Sequence, residues 1–284
     1  MNMVGVVTLY RPDATYIRNI GSYIDYLDKL YVVDNTPEDD CGYFRELQQA
    51  YPNVICLSNG KNLGISGALN CALSKAIADG HHRLLTMDQD SHFSQEQAQR
   101  YFASIERIDD GTVAVIAPHH RKIETDEEEC RFVERDIVYT SGNVLNVEVA
   151  SNIGMFDEHL FIDSVDHEYC LRAKMNGYRI MQATNCYLNH DVGNGKATGF
   201  FFLRKKIRSF HSPKRFYFMV RNYFYIEKLY GDYFRIFFRK LRKELRKEFI
   251  SSMKYSDVRS DYIYYVIKAW CDYRKGLFGN TVGI

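Results

Sequence analysis

Tryptophan occurs once and proline five times in 284 residues, and no apolar run approaches the ~18 residues that a membrane-spanning helix needs. A proline-rich array and a transmembrane segment are thereby excluded from the expectation. The seven cysteines (41, 56, 71, 130, 170, 186, 271) form no C-x-x-C pair and no zinc-finger spacing. An odd, scattered set argues against a disulfide-stapled module and fits free, buried thiols in a reducing compartment. The start, MNMVGVVTLYRPD, lacks both a basic n-region and an apolar h-region, so it reads as a first strand rather than a signal peptide. The expected location is the cytoplasm. Internal repeats and low-complexity linkers are also missing.

Net charge is nearly missing too, at +1, but it is unevenly spread. Residues 1–199 carry 17 basic and 29 acidic side chains, residues 200–250 carry 15 and 4, and residues 251–284 carry 5 and 3. An acidic body with a basic, aromatic C-terminal segment is not a general nucleic-acid binder. The division predicts two regions, 1–199 and 200–284.

What is present in the first half is alternation. Val4–Leu9, Leu30–Val33, Val54–Leu57, Arg83–Met87 and Thr112–Ala117 are short β-rich runs, and residues 13–28, 42–51, 64–79 and 94–107 place apolar side chains at helical spacing. Strand and helix in alternation predict a mainly parallel sheet with helices on both faces. Beyond Pro118 the pattern predicts a mixed extension: a loop at Glu124–Glu129, runs at Val138–Asn146, Arg179–Ala183 and Cys186–His190, and a helix over 165–176. Helices are expected over 214–230, 233–250 and 258–275.

Ligands of open parallel sheets bind beyond the C-terminal strand ends. There the chain places Thr8-Leu9-Tyr10-Arg11, Asp34-Asn35-Thr36 and Asp88-Gln89-Asp90. The second of these also fits an ordinary turn and helix cap. Two carboxylates straight after an apolar strand repel unless a cation or donor lies between them. Hard oxygen ligands of that kind suit Mg²⁺ or Mn²⁺, with water and a diphosphate completing the shell. The stretch from Asn59 to Asn70 spaces its glycines G-x-x-x-G-x-x-G, which is neither a Walker loop nor a dinucleotide fingerprint. Such a start to a helix admits a phosphate or sugar near the backbone at Gly64, with Asn70 on the same helix; tight helix–sheet packing fits equally well. Asp163 and Asp166 lie three apart at a helix start, where either carboxylate could act as a general base or serve as a cap. His190 closes the last strand of the body as a candidate ligand.

As an ordered set, V-V-T-L-Y-R-P at 6–12, V-V-D-N-T at 32–36, N-L-G-I-S-G-A-L-N at 62–70, M-D-Q-D-S at 87–91, S-G-N at 141–143 and F-D-E-H-L-F-I-D-S-V-D-H-E-Y-C-L-R at 156–172 resembles the family 2 glycosyltransferases. The nearest branch is the bacterial rhamnosyltransferases, and the resemblance spans about residues 3–195. It implies a GT-A fold and inverting transfer of a sugar from a dTDP- or UDP-sugar. The implied acceptor is a hydroxyl on a glycan or lipid carrier, in bacterial surface polysaccharide synthesis. Matched position by position, Thr8, Tyr10 and Asp34 would hold base and ribose, with Gly64, Asn70 and Asp88 on the donor side. Asp88, Asp90 and His190 would hold the metal, Gly142 and Asp163 would lie toward the acceptor, and Asp166 would be the catalytic base. Val165 departs from the commonest pattern, in which a Glu precedes the base, so Asp163 stands in reserve for that role. A catalytically silent nucleotide-sugar-binding relative is the competing expectation, against which all four of Asp88, Asp90, Asp166 and His190 are retained.

In residues 200–250, aromatic clusters such as Phe216-Tyr217-Phe218 and Phe237-Phe238 alternate with Lys/Arg clusters. That pattern suits a helix on an anionic membrane surface, and equally suits packing on the body or in a homodimer. Nucleic-acid binding is not expected beside so acidic a body.

Overall fold

The computed structural model describes residues 2–37, 42–58, 60–108, 110–122, 127, 129–190, 197–198, 206–207 and 211–284. Most of the predicted loop at Glu124–Glu129 and much of the aromatic-basic run after 199 lie outside the described residues. In chain order the elements are β1 (Met3–Leu9), α1 (Tyr16–Gly21), β2 (Lys29–Asp34), α2 (Gly42–Ala50), β3 (Val54–Ser58), α3 (Gly64–Ala78), β4 (Arg83–Asp88) and β5 (Ser91–His92). There follow α4 (Gln95–Ile108), β6 (Val113–His119), β7 (Phe132–Glu134), β8 (Asn143–Asn146), α5 (Val147–Ile153), α6 (Val165–Met175), β9 (Arg179–Tyr187) and β10 (Asn189–His190). A short pair, Ala197–Thr198 with Lys206–Ile207, precedes α7 (Pro213–Tyr230), α8 (Arg235–Tyr255) and α9 (Arg259–Lys275).

Two compact units result: Met1–Glu158 with Val165–Asp191, and His159–Ser164 with Val192–Ile284. The first is built on an eight-stranded sheet ordered β3-β2-β1-β4-β8-β6-β9-β7. Pairs β3–β2, β2–β1, β1–β4 and β6–β9 are parallel, while β8 runs antiparallel to β4 and β6, and β7 antiparallel to β9. Every residue of β1 is buried, as expected of a central parallel strand covered on both faces. Helix α3 reaches the sheet through small residues: Gly64, Ser66, Gly67, Ala68, Ala72 and Ala76 are all buried. Helix α4 buries Ala98, Tyr101, Phe102 and Ile105, the i, i+3, i+4, i+7 stripe of an amphipathic helix.

Three sequence expectations need correction. The helix expected over 13–28 is only α1 plus a 3-10 turn at Ile24–Tyr26, because the chain bends at Ser22 and Tyr23. The run Val138–Asn146 yields a strand only from Asn143, and the chain then turns into α5, which β-branched Val147 and Val149 had disguised. Asn146 makes that helix possible by accepting the Val149 N–H at 3.1 Å, a side-chain N-cap. Finally, Arg179–Ala183 and Cys186 belong to one strand, β9, with β10 a separate short piece.

The second unit is helical. Its core joins Phe161, Phe216, Tyr217, Phe218, Val220, Tyr262 and Ala269. Helix α7 starts at Ser212, whose Oγ accepts the Arg215 N–H at 3.2 Å, with Pro213 in the first turn, where its missing N–H is no loss. Among the described residues no helix is long and apolar enough to cross a membrane. The six described cysteines are free thiols, Cys170 and Cys186 buried and Cys271 exposed.

Replacing Ser212 with Ala should lower unfolding stability by about 1 kcal/mol through loss of the cap. Urea denaturation followed by circular dichroism measures it, and an unchanged midpoint would refute the cap's contribution.

Candidate active site

Parallel pairing brings the C-terminal ends of β1, β2 and β4 to one level. Leu9 pairs with Asp34, and Thr8 with both Val33 and Asp88. Asp34 is buried and its Oδ1 accepts the Thr36 N–H at 2.8 Å, so the turn expected there exists. Asn35 ties three elements together: its N–H donates to Leu9 O at 2.8 Å, its Nδ2 to Gly64 O at 2.9 Å, and its Oδ1 accepts the Leu63 N–H at 3.3 Å. Thr36 Oγ1 takes the Arg11 N–H at 2.9 Å. Thr8 is buried in β1, and Tyr10 is partly exposed just beyond it, with the Arg11 guanidinium 5.5 Å from its ring centre.

The loop carrying Asp88 and Asp90 is held from three sides. Gln89 between them accepts the Tyr10 N–H at 2.8 Å and donates to Tyr10 O at 3.2 Å, which locks the β1 and β4 loops together. Asn19 of α1 donates to Gln89 O at 2.9 Å. The Asp88 N–H donates to Ser141 Oγ at 3.1 Å, from the turn that leads into β8. Beneath the loop, burial and then the Asp88 charge push the Tyr23 phenol well above its ordinary pKa, which keeps it protonated. Strand β5 follows directly and pairs with β10, placing the His190 backbone opposite Ser91. The His190 side chain lies outside the described residues.

Gly142 sits at φ +82°, and a Cβ there would fall 2.6 Å from Pro118 Cγ, so both conformation and space demand glycine. The turn is pinned by Gly142 N–H to Thr86 O at 2.7 Å and by the buried Tyr101 hydroxyl, which reaches Ile116 O and Gly142 O at 2.9 Å each.

Gly64 and Asn70 occupy α3 differently. Gly64 has φ +71°, donates its N–H to Asn62 Oδ1 at 2.8 Å, and gives its carbonyl to Asn35. Asn70 is buried and clamps the segment ahead of α6: its Nδ2 donates to Phe156 O and Glu158 Oε1, and its Oδ1 accepts the Phe156 N–H, all at 2.9 Å. Arg172 supports the same segment from α6. It pairs with both oxygens of buried Glu168 at 2.9 Å and donates to the carbonyls of Ile153, Gly154 and Met155 at 2.7 Å. Asp166 is half-buried in the first turn of α6, its Oδ1 accepting the His167 N–H at 2.8 Å.

Asp163 belongs to the helical unit, where its carboxylate pairs with Arg215 of α7 at 3.1 Å. Phe161, Asp163 and Ser164 all have φ between 62° and 64°, a left-handed cluster in which no residue is glycine. Such strain persists only where surroundings over-determine it. Here α7 supplies them, with residues sequence reasoning had missed. Fully buried Arg221 donates to His159 O (3.0 Å), Leu160 O (3.3 Å) and Gly279 O (2.7 Å), and burial lowers its pKa. Asn222 Nδ2 reaches Leu160 O (2.9 Å), Ile162 O and Asp163 O (both 2.8 Å), and Phe218 stacks on Phe161 with ring centres 5.4 Å apart. The spacing 215, 218, 221, 222 was the available signal, because it marks one helix face.

Strand-end carboxylates and a clamped Gly-rich helix start thus meet at one edge of a mostly parallel sheet that contains antiparallel strands. The chain belongs to glycosyl transferase family 2, whose profile matches residues 15–169. It is 27% identical over 251 residues to the dTDP-rhamnosyl transferase RfbF of Shigella flexneri, covering 78% of this chain and 79% of that one. Solved structures agree on the fold. GalNAc-T7 with UDP, GalNAc and Mn²⁺ superposes with a TM-score of 0.62 at 12% identity, over 96% of this chain and 57% of the other. The mannosyltransferase PcManGT of Pyrobaculum calidifontis, in complex with GDP-Man and Mn²⁺, gives 0.56 at 13% identity over 97% and 83%. TarS 1–349 of S. aureus gives 0.55 at 16% identity over 98% and 81%.

Asn222→Ala should cost about 3 kcal/mol, since it leaves three carbonyls of a buried loop without their donor. Equilibrium urea unfolding of the full chain tests this, and a loss below 1 kcal/mol would refute the clamp. Gly142→Ala is expected to cost about 1–3 kcal/mol from its positive φ alone, read as a fall in melting temperature.

Proposed function

We propose that this protein is a metal-dependent, inverting glycosyltransferase that moves a sugar, with rhamnose the favoured candidate, from a dTDP- or UDP-sugar to a hydroxyl of a glycan or lipid-linked acceptor in bacterial surface polysaccharide synthesis. The convergence of β1, β2, β4 and the 141–143 turn on one sheet edge carries the reading, together with the likeness to RfbF. Residues 1–199 form the catalytic body and 200–284 its helical extension, working in the cytoplasm at the inner membrane face.

Thr8, Tyr10 and Asp34 take the base and ribose at the β1–β2 end, and the Gly64 turn lies alongside. Asn70 acts on the donor side by fixing the 156–158 segment. The chemistry of the donor set fits a hard divalent cation: Asp88 and Asp90 offer carboxylate oxygens at the end of β4 and in the loop just after it, and diphosphate oxygens and water would complete the shell. Those two carboxylates, with His190, would hold Mg²⁺ or Mn²⁺, which when bound neutralises charge on the departing diphosphate. Asp166 accepts the proton of the acceptor hydroxyl as its oxygen attacks the anomeric carbon from the face opposite the leaving group. One displacement inverts that carbon. Asp163 pairs with Arg215 inside the helical unit and is left out of the proton transfer, and Gly142 shapes the turn on the acceptor side.

The exposed face of α8 carries Arg235, Arg239, Lys240, Lys243, Arg246 and Lys247, with Tyr233 and Ile236 each 69% exposed nearby. Basic residues at an anionic surface contribute about 1 kcal/mol each, which supports peripheral membrane contact, and a homodimer is the alternative use of this segment.

Asp166→Asn should reduce transfer by at least ~100-fold while leaving nucleotide affinity intact; full turnover in that variant excludes it as the base. Thermal-shift titration with dTDP and UDP, with and without Mg²⁺ or Mn²⁺, should show a metal-dependent rise that Asp90→Ala abolishes. A rise that survives the substitution would remove Asp90 from the metal site.

A further inference from the structure

One aromatic ring at the sheet edge has no part in the steps above. Tyr139 is 62% exposed, more than any other large apolar side chain described in the α/β unit. Single exposed rings are common and need no explanation by themselves. This one is held in place. His120 meets the ring at 5.9 Å between centres in an edge-on arrangement, and His167 lies at 6.3 Å, tilted. The chain just beyond is fixed as well: Thr140 O accepts Thr86 Oγ1 at 2.6 Å, and Ser141 Oγ accepts the Asp88 N–H at 3.1 Å. Tyr139 therefore stands two residues from a direct contact with Asp88. Its ring rests beside His167, whose own N–H binds Asp166 at 2.8 Å.

Strand order gives the direction. Along β2-β1-β4-β8-β6, Asp34 ends β2, Tyr10 follows β1, Asp88 ends β4, the 140–142 turn leads into β8, and His120 follows β6. A donor laid from Asp34 to Asp88 occupies the first three strands and leaves the β8–β6 end free for the second substrate. Tyr139 is the exposed ring at that end.

We propose that Tyr139 is the acceptor platform and that the acceptor is a saccharide: a pyranose lays its C–H face on the tyrosine ring, with His120 and His167 beside it as hydrogen-bonding partners for hydroxyls. This rests on the glycosyl-transfer reading and adds to it the acceptor class and the residue that selects it. A preorganised aromatic ring favours flat, partly apolar sugar faces over peptide or bare alkyl chains.

The test uses saturation-transfer NMR on the full chain with dTDP and Mg²⁺, with a panel of methyl glycosides (glucoside, galactoside, rhamnoside, N-acetylglucosaminide) as probes. At least one glycoside should receive saturation at its ring C–H protons in the wild type. Tyr139→Phe and Tyr139→Trp should retain it, whereas Tyr139→Ala should weaken binding about tenfold, on the order of one good aromatic contact. Calorimetric dTDP affinity should stay within about twofold across all four proteins, and their melting temperatures should agree. Equal saturation in Tyr139→Ala, loss of it in Tyr139→Phe, or no glycoside signal in the wild type would overturn the platform. A fall in dTDP affinity in Tyr139→Ala would overturn it also, by assigning the ring to the donor base. If wild-type protein binds neither dTDP nor UDP, the glycosyl-transfer reading itself fails and the platform with it, an outcome separate from a dTDP-binding protein that ignores glycosides.

Discussion

The register of the three central parallel strands is the constraint on which the rest of the site depends. Because side chains alternate faces along a strand, a slip of one residue between β1 and β2 or β4 would send Asp34 or Asp88 to the opposite face. Burial of β1 on both faces resists that slip, since every residue from Met3 to Leu9 is enclosed. Once Leu9 pairs with Asp34 and Thr8 with Asp88, the polar loops emerge at one level and can bind one another. Gln89 on Tyr10 and Asn35 on Leu9 and Gly64 are consequences of that alignment. Rigid strands thus deliver the carboxylates, and short hydrogen bonds between loops fix their spacing.

A reversed strand then completes the edge. β8 runs antiparallel to β4, so its incoming turn, not its outgoing end, meets Asp88. Only a glycine can hold that turn against Pro118 at φ +82°, and only a buried donor such as the Tyr101 hydroxyl can satisfy the carbonyl it turns inward. Residues 139–142 consequently face two neighbours at once. The Ser141 hydroxyl and the Thr140 carbonyl address β4, and the Tyr139 ring lies beside His167 at the start of α6.

The sequence made the strands and most helices legible because hydrophobic periodicity is local, and the strand-end carboxylates followed from knowing where strands stop. Partners far along the chain were not legible. Asn70 lies inside a motif that reads as donor-binding, yet both ends of its amide bind residues 86 and 88 positions away. Arg221 lay in a segment whose composition suggests surface charge, and proves to be fully buried against carbonyls. Nor could composition show that Phe161, Asp163 and Ser164 take left-handed backbone, since none of them favours it as glycine would.

That last point links strain to the placement of polar groups. Left-handed residues in succession turn several carbonyls toward one side, and carbonyls of a buried loop need donors. A guanidinium and an adjacent carboxamide provide them with little conformational freedom, because one helix face carries both. The Arg221 charge has no carboxylate in ion-pair range among the described residues, and it is tolerated because carbonyl dipoles and the Tyr217, Phe218 and Phe278 rings surround it. Replacing that arrangement with an apolar contact would leave the loop's carbonyls unpaired, and the left-handed backbone at 161–164 would lose the contacts that enforce it. The strained loop and the buried arginine are therefore one device, each explaining why the other is there.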